Sequence, residues 1–144
     1  METFRGVVYN WECDMFEHMN VQFYQAKFDQ ASWFFIGKIG MPTEYFRTEN
    51  RSLVAMEQRI RYHRELLAGD LICIRSQLLE VREKSLRFRH RMYNALTDTL
   101  SAETEYVSVH IHSKTRNSIE FPASIRASLK VALEQGQERQ GKQG

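Results

Sequence analysis

Between Trp11 and Asn20 the chain reads Trp-Glu-Cys-Asp-Met-Phe-Glu-His-Met-Asn, which places a carboxylate (Asp14), an imidazole (His18) and a strong helix N-cap residue type (Asn20) in one short segment. The segment falls between a stretch that reads as a strand and one that reads as a helix. A helix begins with N–H groups that lack intrahelical acceptors and with the positive end of its dipole, so developing negative charge is favoured there. A carboxylate delivered to that point can serve as base or nucleophile toward a carbonyl carbon whose oxygen those N–H groups polarise. The residue types therefore point to acyl chemistry.

The elements that must position this cluster are legible on either side. Thr3 to Asn10 is rich in β-branched and aromatic residues and reads as a strand. Val21, Tyr24, Phe28, Ala31, Phe35 and Ile39 recur at steps of three and four, while Gln22, Gln25, Lys27, Asp29 and Lys38 fall mostly between them. This is an amphipathic helix of about five turns. Asn20 supplies an N-cap, and Gly40 followed by Pro42 supplies a stop. Phe23, Trp33, Phe34 and Ile36 widen the apolar face, so the helix is expected to be covered on most sides.

Period-two patterns then define four strands, Leu53 to Tyr62, Leu71 to Val81, Ser85 to Tyr93 and Leu100 to His112, with an Ala68-Gly69-Asp70 turn before the second. Short connections imply antiparallel neighbours. In the third of these, Leu86, Phe88, His90 and Met92 alternate with Arg87, Arg89 and Arg91, which gives an apolar face and a cationic face. After Lys114 a loop and a short helix around Pro122 and Arg126 are expected. Residues 1–132 read as one domain and 133–144 as a polar, disordered tail.

Bulk properties narrow the classes. A chain of 144 residues suits a single domain, and a net charge of +2 gives no electrostatic case for nucleic acid or an anionic membrane. No apolar run approaches the roughly 20 residues that span a bilayer, and Met1 is followed by Glu2 rather than by a leader-like segment. The expectation is a soluble cytoplasmic protein. Cys13 and Cys73 lack pairing or metal spacing and read as reduced thiols. His110 and His112 share a strand face, but without a third ligand nearby they read as ordinary strand histidines rather than a metal site.

A strand, a long apolar helix and four antiparallel strands follow the order of the α+β hotdog fold, in which a sheet of about five strands wraps one central helix. Asp14-Met-Phe-Glu-His18-Met-Asn20, followed by Tyr24, resembles the acyl-CoA thioesterases of the 4-hydroxybenzoyl-CoA thioesterase type, whose pattern is approximately Asp-x-x-Gly-His-Val-Asn with a later helix Tyr. The likeness extends over about 125 residues and includes the Gly69-Asp70 turn and Pro122. It implies hydrolysis of an acyl-CoA thioester without a cofactor, in a homodimer that can pair into a homotetramer. It also implies that Asp14 is the catalytic carboxylate and that the Val21 N–H binds the thioester oxygen.

The remaining site residues each carry two readings. Asp14 could simply cap a turn. His18 could orient substrate or Asp14, or pack the loop against a backbone carbonyl. Asn20 caps the helix and so positions its N–H groups, and Tyr24 is either core or a substrate contact. Glu17 stands where the family pattern has Gly, so either the loop is shaped differently or Glu17 is a second carboxylate near the substrate. Arg87, Arg89, Arg91, Lys114 and Arg116 could meet coenzyme A phosphates or form a solvated surface. The aromatic residues around the site suit a short-chain or aromatic acyl group, and aromatic faces also suit a betainyl cation. The competing class is a hotdog that binds acyl-CoA or acyl carrier protein without turnover. A dehydratase would place a His on the helix, and none lies between Val21 and Ile39.

Overall fold

The computed structural model describes residues 1–143. Strands β1 (Glu2–Val7), β2 (Arg51–Tyr62), β3 (Leu71–Val81), β4 (Ser85–Asn94) and β5 (Thr99–His112) form one antiparallel sheet in the order β1-β3-β4-β5-β2. Helix α1 (Val21–Lys38) follows β1, a short α2 (Thr43–Thr48) precedes β2, and α3 (Ala123–Gln143) follows β5. This is the α+β hotdog arrangement expected from the sequence. β1 and β3 pair antiparallel from Phe4 opposite Ile74 to Val7 opposite Leu71.

The turn before β3 needs a glycine, because Gly69 has φ of +91° and its N–H donates to the Val8 carbonyl at 2.7 Å. The Val8 N–H returns to the Asp70 carbonyl at 2.9 Å, so the turn fastens the end of β1 just upstream of the Asp14 segment. Gly40, at φ +122°, ends α1 as expected, with the Met41 N–H donating to the Ile36 carbonyl at 3.0 Å.

The chain divides into two compact units. The first comprises Met1–Phe35, Arg59–Ser76 and His90–Thr104. In it Tyr24, Phe28 and Ala31 of α1 are buried with Val8, Ile72, Ile74, Met92 and Ala102. Each large side chain so buried contributes roughly 1.5–3 kcal/mol. The same unit buries a polar chain: Ser32 Oγ lies 2.8 Å from His90 Nε2, Ser76 Oγ 2.5 Å from His90 Nδ1, and Thr3 Oγ1 2.7 Å from Ser76 Oγ. Burial pushes the His90 imidazole down to about 3, so it is neutral in the fold.

The second unit comprises Ile36–Gln58, Gln77–Arg89 and the chain from Glu105 onward. Phe88 stacks on Tyr106 with centroids 5.1 Å apart, and His110 packs on Phe121 at 4.8 Å. His110 Nε2 meets the Tyr45 hydroxyl at 2.8 Å, and its Nδ1 donates to the Ile119 carbonyl at 2.9 Å. His112 Nδ1 accepts the Lys114 and Thr115 N–H groups. Among the described residues no group of three or more His, Cys, Asp or Glu could hold a metal ion, and no helix is long and apolar enough to cross a membrane.

Three expectations are revised. The segment 133–144, read as disordered from its polarity, continues α3 as far as Gln143; apart from Gly136 and Gly141, residues 133–143 are Leu, Gln, Glu, Lys and Arg, which are good helix formers, so polarity alone was a poor guide. Gly144 lies outside the described residues. Trp33 and Phe34, expected to be covered, are 56% and 64% exposed, because the buried stripe runs through positions 24, 27, 28, 31 and 35. Lys27, placed on the polar side, is instead buried on that stripe.

Candidate active site

The residues at the start of α1 form one hydrogen-bonded unit. Asn20 Oδ1 accepts the Gln22 N–H at 3.1 Å, which is the N-cap bond its position requires. The other end of the same side chain, Nδ2, donates to Asp14 Oδ2 at 2.9 Å. Asp14 Oδ1 accepts the Phe16 N–H at 2.9 Å. One amide thus sets the helix start and the carboxylate together.

The intervening loop is closed by its backbone. The Glu17 N–H donates to the Asp14 carbonyl at 2.9 Å and the Asp14 N–H to the His18 carbonyl at 3.2 Å, while Cys13 and Met19 form a bridge. Glu17 has φ of +68°, so it occupies the left-handed conformation that the glycine of the family pattern would supply. The Glu17 side chain is exposed.

The Asn20 amide, and next the Phe16 N–H, hold the Asp14 carboxyl below the usual aspartate range, so it is ionised at neutral pH. Val21, the first helical residue, is 58% exposed, and its N–H has by geometry no acceptor within the helix. His18 Nε2 lies 3.5 Å from a Glu65 carboxylate oxygen, and its ring faces Phe16 at 6.3 Å. Tyr24 is only 4% exposed and packs edge-on against Tyr62 at 5.2 Å. Burial first, and then the neighbouring Tyr62, pushes its phenol up to about 12.

Beneath the loop lies a pair that sequence reasoning missed. Glu12, in a 3₁₀ turn at Asn10–Glu12, engages the Lys27 ammonium through Oε2, with both residues buried. Glu12 Oε1 accepts the Tyr9 N–H at 2.9 Å, and its carbonyl accepts the Asn20 N–H at 2.8 Å. The signal was available: Lys27 is three residues after Tyr24 and four before Ala31, which puts it on the apolar face.

Arg91 belongs to the same unit as Asp14 and lies 3.6 Å from Glu103. Arg87 and Arg89, in the other unit, face Glu80 at 3.5 Å, Glu105 at 3.3 Å and Gln77 at 2.9 Å. Lys114 and Arg116 lie exposed in the turn after β5. A cleft of about 330 Å3 in that unit is lined by Glu80, Arg82, Ser85, Leu86, Arg87 and Val107 and shares no residue with the Asp14 loop.

A five-stranded antiparallel sheet with a long helix that buries one stripe of side chains is the hotdog arrangement. Residues 7–129 match the thioesterase-like superfamily, and the chain belongs to it. It is 28% identical over 117 residues to an L-carnitine dehydrogenase/betainyl-CoA thioesterase of Rhizobium meliloti (strain 1021), covering 81% of this chain and 23% of that protein. The chain thus spans about a quarter of the length of the curated relatives it matches. Among solved structures, the hypothetical protein SAV2348 of Staphylococcus aureus in complex with CoA shares the fold at a TM-score of 0.86 and 20% identity, covering 93% of this chain and 85% of that one. A probable thioesterase of Escherichia coli, YbaW, does so at 0.77 and 21%, covering 90% and 97%.

Proposed function

We propose that the chain hydrolyses an acyl-CoA thioester. The observation that carries this is the ionised Asp14 carboxylate fixed by Asn20, the residue that also caps α1. The Val21 N–H and the helix dipole polarise the thioester carbonyl, and Asp14 either activates water or attacks the carbonyl carbon to give a mixed anhydride that water opens. Either route ends in free acid and coenzyme A. His18, beside the loop, orients the acyl group, and Tyr24 acts as a buried wall rather than a free hydroxyl. For the coenzyme A phosphates we favour the exposed Lys114 and Arg116 over Arg87 and Arg89, whose guanidinium groups meet Glu80, Glu105 and Gln77, and over the half-buried Arg91.

The acyl group proposed is small, with betainyl foremost among short-chain and aromatic alternatives, since three relatives carry that activity in their names. The working form proposed is a homodimer or a pair of dimers, with exposed apolar residues such as Trp33 and Phe34 available for contacts.

The test is thiol release from a panel of acyl-CoA esters, with wild type and Asp14→Asn side by side. The expected outcome is turnover of at least one ester and a loss of about 10³-fold in kcat in the variant. Binding without turnover, or equal rates in the variant, returns the chain to the non-catalytic acyl-CoA binding class.

A further inference from the structure

The segment that carries Asp14 exposes aromatic surface where polar side chains would be ordinary. Trp11 is 72% exposed and stacks on Tyr9, with centroids 4.3 Å apart and planes 8° from parallel. The stack fixes the indole and leaves its outer face to solvent. The charges on the same stretch have one sign: between Val7 and Ala26 there are Glu12, Asp14 and Glu17 and no Lys or Arg. The Glu12 charge is taken up by Lys27. Among the described residues neither Asp14 nor Glu17 has an ion pair to a Lys or Arg, and the nearby His18 faces a further carboxylate, Glu65.

An exposed indole face on a segment whose accessible charges are carboxylates favours a cationic acyl group over an anionic one. A quaternary ammonium suits it best, since that cation has no N–H to satisfy and loses little hydration against a ring. We propose that the outer face of Trp11, held by Tyr9, is the subsite for a quaternary ammonium on the acyl group, with Glu17 adding electrostatic attraction. This deepens the hydrolase reading and rests on it.

Reach is adequate. Trp11 and Asp14 are three residues apart, so their Cα atoms lie within about 10 Å, and the 3₁₀ turn at Asn10–Glu12 shortens that. In an α-ammonio acyl thioester the nitrogen is two bonds from the carbonyl carbon. A cation so short a distance from the carbonyl is within reach of the indole, where contact needs about 6 Å to the ring centroid.

The experiment compares kcat/KM for betainyl-CoA with that for tert-butylacetyl-CoA, the neutral isostere, in wild type, Trp11→Leu and Trp11→Phe. Because both esters are measured on one preparation, the ratio is independent of the fraction of protein folded. The expected result is a wild-type preference for the cation that falls about fivefold in Trp11→Leu and about twofold in Trp11→Phe, the part that remains being the ammonium's own activation of the carbonyl. Equal turnover of the two esters by wild type overturns the subsite and leaves the hydrolase reading intact. A preference of the same size in Trp11→Leu as in wild type does the same, above all if the variant's mass in solution changes, which would assign Trp11 to contact with a second copy of the chain. Turnover of neither ester, with others on the panel also inert, overturns the hydrolase reading and the subsite with it.

Discussion

Glu12 and Asp14 are carboxylates separated by one residue, and the fold puts them to opposite uses. Glu12 is 7% exposed, and its charge is matched by Lys27, itself 5% exposed. Asp14 is accessible and is held by two neutral donors, the Asn20 amide and the Phe16 N–H. A buried carboxylate needs an opposite charge to offset its desolvation, and that pairing ties it to the core. A carboxylate fixed by neutral groups keeps its full charge in a defined orientation. The pair teaches that burial and partner, not residue type, separate the structural acid from the candidate catalytic one.

The largest effects break this comparison from either side. Asp14→Asn is expected to remove about 10³-fold of kcat while the urea midpoint stays close to wild type. Lys27→Met is expected to do the reverse, since it strands a buried carboxylate: a loss of about 3 kcal/mol in unfolding free energy. Glu12→Gln combined with Lys27→Met should recover most of that loss, because no buried charge is then left unmatched. A Lys27→Met protein less than about 1 kcal/mol weaker than wild type would show that Glu12 is not confined as described.

His90 sharpens the same contrast at smaller amplitude. The unfolded chain binds a proton on this histidine below about 6.5, whereas in the fold its value is about 3. Stability is therefore complete above pH 6.5 and declines as pH falls toward 3, by about 1.4 kcal/mol per unit from this group. His110, also lowered by burial, adds to the slope. Urea midpoints at pH 7.5, 6.5 and 5.5 should be level across the first interval and fall across the second. A flat profile to pH 5.5 would mean that His90 is protonated within the fold.

How much of this was legible follows from which interactions are local. The α1 range and β3 were read to within a residue, and the other strands to within two or three, because periodicity is a local pattern. Asn20 as N-cap and Asp14 beside it were legible for the same reason. Lys27 was misread because a long cation on an apolar face is buried only if a partner arrives from elsewhere, and Glu12 reaches it from 15 residues away. The Ser32–His90–Ser76–Thr3 chain was invisible, since its members come from α1, β4, β3 and β1. The extended α3 was missed by weighing polarity above helix propensity.

The smallest expected effect concerns Glu17, which separates loop conformation from loop charge. At φ +68° a glutamate carries a strain of about 1 kcal/mol that glycine does not, although glycine adds freedom to the unfolded chain. Glu17→Gly is thus expected to raise stability by about 0.5 kcal/mol, a shift read in the urea midpoint. Asn tolerates the left-handed region better than Glu and, like Gly, removes the charge. Glu17→Asn should therefore fall between wild type and Glu17→Gly in stability. If Glu17 serves the substrate through its charge, both variants lose the same part of any preference for a cationic ester, and raising the salt concentration narrows their difference from wild type. If its role is conformational, activity should instead follow stability, with Gly ahead of Asn and Asn ahead of Glu.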